Sequence, residues 1–92
     1  MAALSAAEIA QKLPAIPEWG LEKDALARSF SFSDFREAMS FVNSVAAIAE
    51  RAGHHPDIDI RYNQVHLALS SHDAGGITDR DFALAAEIGD IL

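Results

Sequence analysis

Two adjacent histidines, His54 and His55, lie between Gly53 and Pro56 in a chain of 92 residues that contains four histidines in all. An imidazole ordinarily titrates near pH ~6.5, so at neutral pH one histidine can accept a proton while another donates one. Neutral imidazole is also a common ligand of zinc and other transition metals. These residue types therefore indicate either proton transfer or a metal site.

The spacing of the histidines argues against a metal site. Adjacent residues on an extended chain point to opposite faces, so His54 and His55 would not readily chelate one ion, and the chain has no HExxH spacing. The chain also has no cysteine, which removes thiolate zinc sites and thiol nucleophiles. We expect no metal and no cofactor, and we prefer acid–base catalysis. The alternative is that the two residues are cap and loop histidines that bind backbone carbonyls.

Composition limits the class of protein further. Seven Lys and Arg against fourteen Asp and Glu give a net charge of -7, which repels nucleic-acid phosphates and anionic membrane surfaces. No apolar run approaches the ~20 residues that span a bilayer, and the N-terminus does not resemble a secretory signal. We therefore expect a cytoplasmic protein with no direct nucleic-acid or membrane contact. A chain this short predicts one domain over residues 1–92, and self-association would add to its stability.

The first half of the chain predicts a helix followed by a hairpin. Ser5 and Glu8 form a capping box for a short helix that runs to about Leu13. Residues 25–32 alternate between apolar and small polar side chains, which predicts a strand in which Arg28 is the exception. A shorter strand over 19–22 would pair with it.

The second half predicts a long helix, a second hairpin and a final helix. Apolar residues recur at helical spacing from Asp34 to Ala52, and Gly53 is suited to end that helix. Residues 57–62 and 65–71 alternate as two strands, and Thr78 begins the last helix. The order α-β-β-α-β-β-α indicates an α+β domain with a four-stranded antiparallel sheet and its helices packed on one face.

The second hairpin predicts where the histidines meet. A two-residue loop at 63–64 would place Ile60 opposite Leu67 and His55 opposite His72. Three of the four histidines would then converge at one end of the sheet. The same register pairs Tyr62 with Val65, which predicts that Tyr62 packs in the core, whereas His66 would lie on the open face of the sheet.

Residues from the end of the long helix to the last helix form a spaced pattern: Glu50, three residues, His54-His55-Pro56, five residues, Tyr62, nine residues, His72, eight residues and Asp81. Further motifs are Phe30-x-Phe32-x-x-Phe35, Tyr62-Asn63-x-Val65 and Ser71-His72-Asp73-x-Gly75-Gly76-Ile77-Thr78. This pattern resembles the signature of the pterin-4a-carbinolamine dehydratase family, which is also known for a role as a transcriptional dimerisation cofactor. Ile58, Ile60 and Ser71 depart from the usual family pattern, but no histidine is lost.

The resemblance implies dehydration of 4a-hydroxytetrahydrobiopterin, or a related 4a-hydroxytetrahydropterin, to the quinonoid dihydropterin, in a cycle that serves aromatic amino-acid hydroxylation. It implies that the catalytic residues are His54, His55 and His72. It further implies that Glu50 and Arg80 orient the histidines or close the site, and that the pterin is held by Pro56, Ser71, Asp73 and Ala74.

The resemblance also implies dimers that join into a homotetramer. A different class of function stays open: a non-catalytic module that docks on a transcription regulator as its dimerisation partner. In that case, unlike an enzyme, the protein would keep its role after the histidines are replaced.

Overall fold

Three helices pack on one face of a four-stranded antiparallel sheet in the computed structural model, which describes residues 2–92. This arrangement confirms the predicted α+β domain and its element order. The helices are α1 (Ala6–Lys12), α2 (Phe35–Ala52) and α3 (Asp79–Gly89), and the strands are β1 (Gly20–Glu22), β2 (Ala25–Ser31), β3 (Asp57–Arg61) and β4 (Gln64–Leu69). Single turns of 3-10 helix cover Leu13–Ala15 and His72–Ala74.

Side-chain caps set where the helices begin and end. The Ser5 N–H donates to Glu8 Oε1 at 2.8 Å, and this backbone hydrogen bond holds the pKa of Glu8 below its ordinary value of 4.5. Helix α2 starts where Asp34 Oδ1 accepts from the Glu37 N–H at 2.9 Å. It ends at Gly53, whose φ of 64° is left-handed and carries no Cβ penalty. These predicted caps are confirmed.

The register of the second hairpin differs from the predicted one. Ile60 pairs with Val65 and Arg61 with Gln64, so the loop is Tyr62–Asn63, and the predicted loop at 63–64 is wrong. Tyr62 accepts a left-handed φ of 53°, and the Asn63 side-chain amide donates to the Phe32 carbonyl at 2.8 Å. That bond to the end of β2 holds the turn one residue earlier than predicted.

The change of register is two residues, so every side chain keeps its face of the sheet. Two predictions nevertheless fail. Ile58 pairs with Leu67, so this register, continued to the open end of the hairpin, no longer places His55 across from His72. Tyr62 lies on the turn with 65% of its surface exposed instead of in the core.

The core lies between the helices and the sheet, whose strands run in the order β1-β2-β4-β3. Central strand β4 buries Val65, Leu67 and Leu69 against α2, while the alternate residues face away. An aromatic cluster extends the core: the Phe30 and Phe41 ring centroids are 4.6 Å apart, and Trp19 is buried beside them. Each fully buried large apolar side chain stabilises the fold by about 1.5–3 kcal/mol. No helix within residues 2–92 has the length and hydrophobicity needed to cross a membrane.

The cap of α2 supports a test of the fold. Replacing Asp34 with alanine removes the acceptor of the Glu37 N–H, so the free energy of unfolding should fall by about 1 kcal/mol. Asparagine keeps an acceptor oxygen, so Asp34→Asn should lose clearly less. Urea unfolding of the two variants measures the difference, and equal losses would contradict the capping role.

Candidate active site

Three chain segments meet at one end of the sheet and form an open cleft of about 370 Å³. One segment is the exit from α2, another is the turn that follows β4, and the third is the first turn of α3. Each segment lies where a regular element begins or ends at this end of the sheet, and side chains of all three line the common space. The cleft is lined by Gly53, His54, His55, Ser70, His72, Asp73 and Arg80.

Asp81 anchors His54. The carboxylate is fully buried in the first turn of α3, and its Oδ1 accepts a hydrogen bond from His54 Nε2. Because Nε2 carries the donated hydrogen, a neutral His54 ring has its lone pair on Nδ1. The contact therefore sets both the orientation and the tautomer of a histidine whose side chain is only 10% exposed.

The Ser71 hydroxyl and the Thr78 backbone N–H are the other donors to Asp81. Ser71 Oγ and the Thr78 N–H both donate to Asp81 Oδ2, each at 2.9 Å. The single Ser71 proton is used there, so the Thr78 hydroxyl donates to Ser71 Oγ at 2.8 Å. Burying a carboxylate is costly unless donors compensate it, and three donors plus the positive end of the α3 dipole do so here.

His55 lies at the exposed side of the cleft. Its Nε2 is 2.8 Å from Glu50 Oε2, in the last turn of α2, and both side chains are largely solvent-exposed. An exposed ion pair of this kind adds less than about 1 kcal/mol to stability. Its effect is to orient the His55 ring toward one side of the cleft.

Arg80 and Asp73 form the opposite rim. Arg80 Nη2 donates to Asp73 Oδ1 at 2.6 Å, and this side-chain hydrogen bond lowers the pKa of Asp73 below its ordinary value of 3.8. Arg80 Nε is buried and has no hydrogen-bond partner among residues 2–92. The rim thus presents a charged pair, and an unpaired Arg80 Nε donor lies buried within it.

The structure gathers His54, His55, His72, Asp73 and Arg80 in the cleft, with Glu50 behind His55. Pro56 and Ala74 do not line it but follow directly on His55 and Asp73. Ser71 is 1% exposed and faces Asp81, so its geometry indicates support of the site; its predicted contact with the pterin stays a prediction.

Sequence reasoning did not assign a site role to Asp81, Thr78 or Ser70. The predicted start of the last helix at Thr78 is confirmed, and Thr78 and Asp81 form a capping box there. The same Asp81 carboxylate also binds His54, which local spacing does not reveal. Its position at the end of the family signature was the available signal. Ser70, on the open face of the sheet, carried none.

No three or more His, Asp or Glu side chains within residues 2–92 are grouped as a metal-ligand set. The expectation of metal-free chemistry stays a prediction. What the cleft offers is three imidazoles with two carboxylate partners, Asp81 and Glu50. Such a set can bind, remove and deliver protons.

An α+β domain with a carboxylate-anchored histidine cleft defines a site for proton transfer. Comparison with known proteins shows which protein family has this site. A family model described as Pterin 4 alpha carbinolamine dehydratase matches residues 2–91. The chain belongs to the pterin-4a-carbinolamine dehydratase family, and this confirms the predicted function class, a dehydratase of the hydro-lyase type.

Two relatives of similar length carry names that match this family. A Chloroflexus aurantiacus protein is 56% identical over 92 residues, which is 100% of this chain and 99% of the relative. A Thermomicrobium roseum protein is 57% identical over 91 residues, 99% and 98% of the two chains. Both carry the provisional name pterin-4-alpha-carbinolamine dehydratase.

Two solved structures share the fold. A transcriptional coactivator/pterin dehydratase from Brucella melitensis superposes with a TM-score of 0.91 at 33% identity, over 97% of each chain. A pterin dehydratase-like protein, described as a RuBisCO assembly factor of the alpha-carboxysome, has a TM-score of 0.64 at 23% identity. It covers 79% of this chain and 84% of its own, and at that identity the likeness concerns the fold alone.

The Asp81 anchor predicts a tautomer and a stability loss. In the wild type, ¹⁵N NMR should show neutral His54 protonated at Nε2. Asp81→Asn places an amide N–H against the donors from Ser71 and Thr78, so unfolding free energy should fall by about 1–3 kcal/mol. The neighbouring exposed Asp79→Asn is the control, with a loss below about 1 kcal/mol. An Nδ1-protonated wild-type His54 would contradict the assignment.

The Asp73–Arg80 pair predicts a pH response. Because the folded-state pKa of Asp73 lies below 3.8, its contribution to stability is present above that pH and is lost as pH falls through the lower value. Arg80→Met removes the hydrogen bond, so the pKa of Asp73 should rise toward 3.8, measured by ¹³C carboxyl NMR titration. Arg51→Met, which breaks the separate pair with Glu87, should leave that pKa unchanged; a shift in both variants would refute the local cause.

Proposed function

We propose that this protein dehydrates a 4a-hydroxytetrahydropterin, such as 4a-hydroxytetrahydrobiopterin, to the quinonoid dihydropterin by histidine acid–base catalysis. The observation that carries the proposal is the shared cleft of His54, His55 and His72, in which a buried carboxylate holds His54. Family membership supplies the substrate class. The reaction would serve tetrahydropterin recycling for aromatic amino-acid hydroxylation.

The chemistry needs two proton transfers and no redox step. The N5–H bond and the C4a–OH bond break, a C4a=N5 bond forms, and the hydroxyl leaves with a proton as water. A base must receive the N5 proton while an acid supplies a proton to the departing oxygen. Correctly placed general acid and base groups each accelerate such steps by about 10²–10⁴-fold.

The cleft supplies these groups, and carboxylates orient two of them. Nδ1 of His54 is the nitrogen that remains for substrate once Nε2 is bound to Asp81. His55 is oriented by Glu50, and His72 enters from the turn after β4. Because the three rings come from two separate segments, they can face the two reacting atoms from different sides.

The rim would hold the pterin ring. The proposed contacts are Asp73, Arg80, Pro56, Ala74 and Ser71, of which Asp73 and Arg80 have polar atoms at the cleft. The buried Arg80 Nε donor is suited to an acceptor oxygen or nitrogen of the ring. Glu50 would act through His55.

Assembly into homodimers or a homotetramer is part of the proposal. Large apolar side chains are exposed on α2 and at the C-terminus, including Phe35 at 51% and Leu92 at 61%. Strands β1 and β3 are the two sheet edges. Burying such surface in a subunit contact would stabilise a chain of this length. A cytoplasmic location stays a prediction.

One observation favours a second candidate function. The Brucella melitensis structure is described as a transcriptional coactivator as well as a pterin dehydratase, and it matches 97% of this chain. A protein-binding role as dimerisation cofactor of a transcription regulator would use a surface outside the histidine cleft, so the two functions are separable by mutation.

Stopped-flow measurement of 4a-hydroxytetrahydropterin dehydration, with chelator present, tests the proposal. The wild type should accelerate the reaction, and His54→Ala, His55→Ala and His72→Ala should each lose about 10²–10⁴-fold of that acceleration. His54→Gln is informative because its amide can still donate to Asp81 but cannot transfer a proton. It should keep the fold and lose the rate.

Arg61→Ala is the surface control, because within residues 2–92 the Arg61 side chain forms an ion pair only with Asp59, and it lies on the hairpin away from the cleft. It should keep the wild-type rate. Thermal melting of each variant separates lost chemistry from lost folding. A wild type no faster than buffer would refute the enzyme proposal and favour the binding module.

A further inference from the structure

A second depression, of about 500 Å³, adjoins the histidine cleft. Ser70 and His72 line both spaces, so the two are continuous across these side chains. The far wall is the β1–β2 turn, which contributes Glu22, Lys23 and Asp24. The acid–base chemistry described above makes no use of this turn.

The lining of the second depression is polar and of mixed charge. Two carboxylates, one ammonium group and the Ser70 hydroxyl surround a floor that includes the small residue Ala68. Carboxylates accept hydrogen bonds, ammonium donates them, and a hydroxyl does both. The set matches neutral hydroxyl groups, whereas its excess of carboxylate opposes an anionic ligand.

Glu22 is held in place on this wall. Its Oε1 lies 3.0 Å from His66 Nε2, and His66 Nδ1 lies 2.7 Å from Ser29 Oγ across the open face of the sheet. With Nε2 donating to Glu22, the Ser29 hydroxyl donates to Nδ1 of a neutral ring. This contact orients the Glu22 carboxylate through Oε1, while the side chain stays largely exposed, so the carboxylate is accessible to a ligand as an acceptor.

The turn itself is also constrained. Lys23 has a left-handed φ of 56°, which is uncommon for a residue with a side chain and occurs where the surrounding structure imposes it. The following residue, Asp24, leads directly into β2. The polar groups on this wall are therefore presented by a defined turn between two paired strands.

Pterin connectivity relates this depression to the reaction. N5, which gives up its proton, is bonded both to C4a, which loses the hydroxyl, and to C6, which carries the substrate's side chain. A ring whose N5 and C4a face the histidines therefore directs its C6 substituent out beside them. The second depression shares Ser70 and His72 with the cleft, so a substituent directed out beside these side chains would enter it.

We propose that the second depression binds the C6 side chain of the substrate and favours a neutral, hydroxylated side chain over a simple alkyl group. This inference rests on the proposed dehydratase function. Glu22 and Lys23 supply the discrimination, since a site built to hydrogen-bond hydroxyls is left with unpaired polar groups when the ligand lacks them. They act on side-chain binding and leave the proton transfers to the histidines.

The test compares two substrates by stopped flow: 4a-hydroxytetrahydrobiopterin, whose C6 side chain is dihydroxypropyl, and the 6-methyl analogue. For the wild type, kcat/KM should be higher with the dihydroxypropyl substrate. In the double variant Glu22→Ala/Lys23→Asn, the ratio of the two kcat/KM values should fall by about three- to tenfold, as expected for the loss of one hydrogen bond. Asparagine tolerates the left-handed backbone at position 23.

Glu18→Ala is the matched control, because Glu18 is an exposed acid that precedes β1 and does not line either space. Its ratio should equal that of the wild type. An unchanged ratio in the double variant, with the 6-methyl substrate still dehydrated rapidly, would overturn this inference and leave the proposed function standing. A wild type that accelerates neither substrate would overturn both.

Discussion

The buried carboxylate of Asp81 is the constraint on which the site depends. It binds the ring of His54, the hydroxyl of Ser71 and the backbone of Thr78 at once, and so it connects the exit from α2, the end of β4 and the start of α3. A buried charge of this kind is stable only when its donors are all in place. The three segments must therefore be assembled together, and the histidine is oriented by the same contacts that hold the fold.

The sheet provides the frame for that assembly. Strand β4 is central and buries alternate residues against the helices, so its direction and end point are well defined. The chain leaves it at Leu69 and turns through His72–Ala74 beside the end of α2. The opposite, open face of the sheet carries polar residues such as Ser29 and His66, which contact each other and, through His66, Glu22 at the end of β1. A fold does not by itself define an activity. In this chain the chemistry resides in the side chains at one end of the sheet.

Comparison of the predicted and observed hairpins shows which inferences from sequence hold. The prediction that three histidines converge was right in outcome, although its register was wrong by two residues. It survived because a two-residue change preserves the faces of a strand, and because Gly53 ends α2 at the same end of the sheet. The predicted core position of Tyr62 was wrong, because in the observed register Tyr62 lies on the turn and has no cross-strand partner. The bond from Asn63 to the Phe32 carbonyl that decided the turn is a contact between residues distant in sequence.

The sequence by itself determined the element order, the helix caps, the acidic character and the family, because these follow from local periodicity, short-range hydrogen bonding and the spacing of a few residues. The sequence also identified His54, His55 and His72 as the candidate catalytic residues. Tertiary structure decided the rest: the hairpin register, the burial of Ser71 and Thr78 beneath the cleft, the partnership of Asp81 with His54, and the second depression beside His72. Each of these joins segments that are far apart along the chain. Such contacts depend on how whole elements pack, and no local pattern encodes the distance between two side chains on different elements.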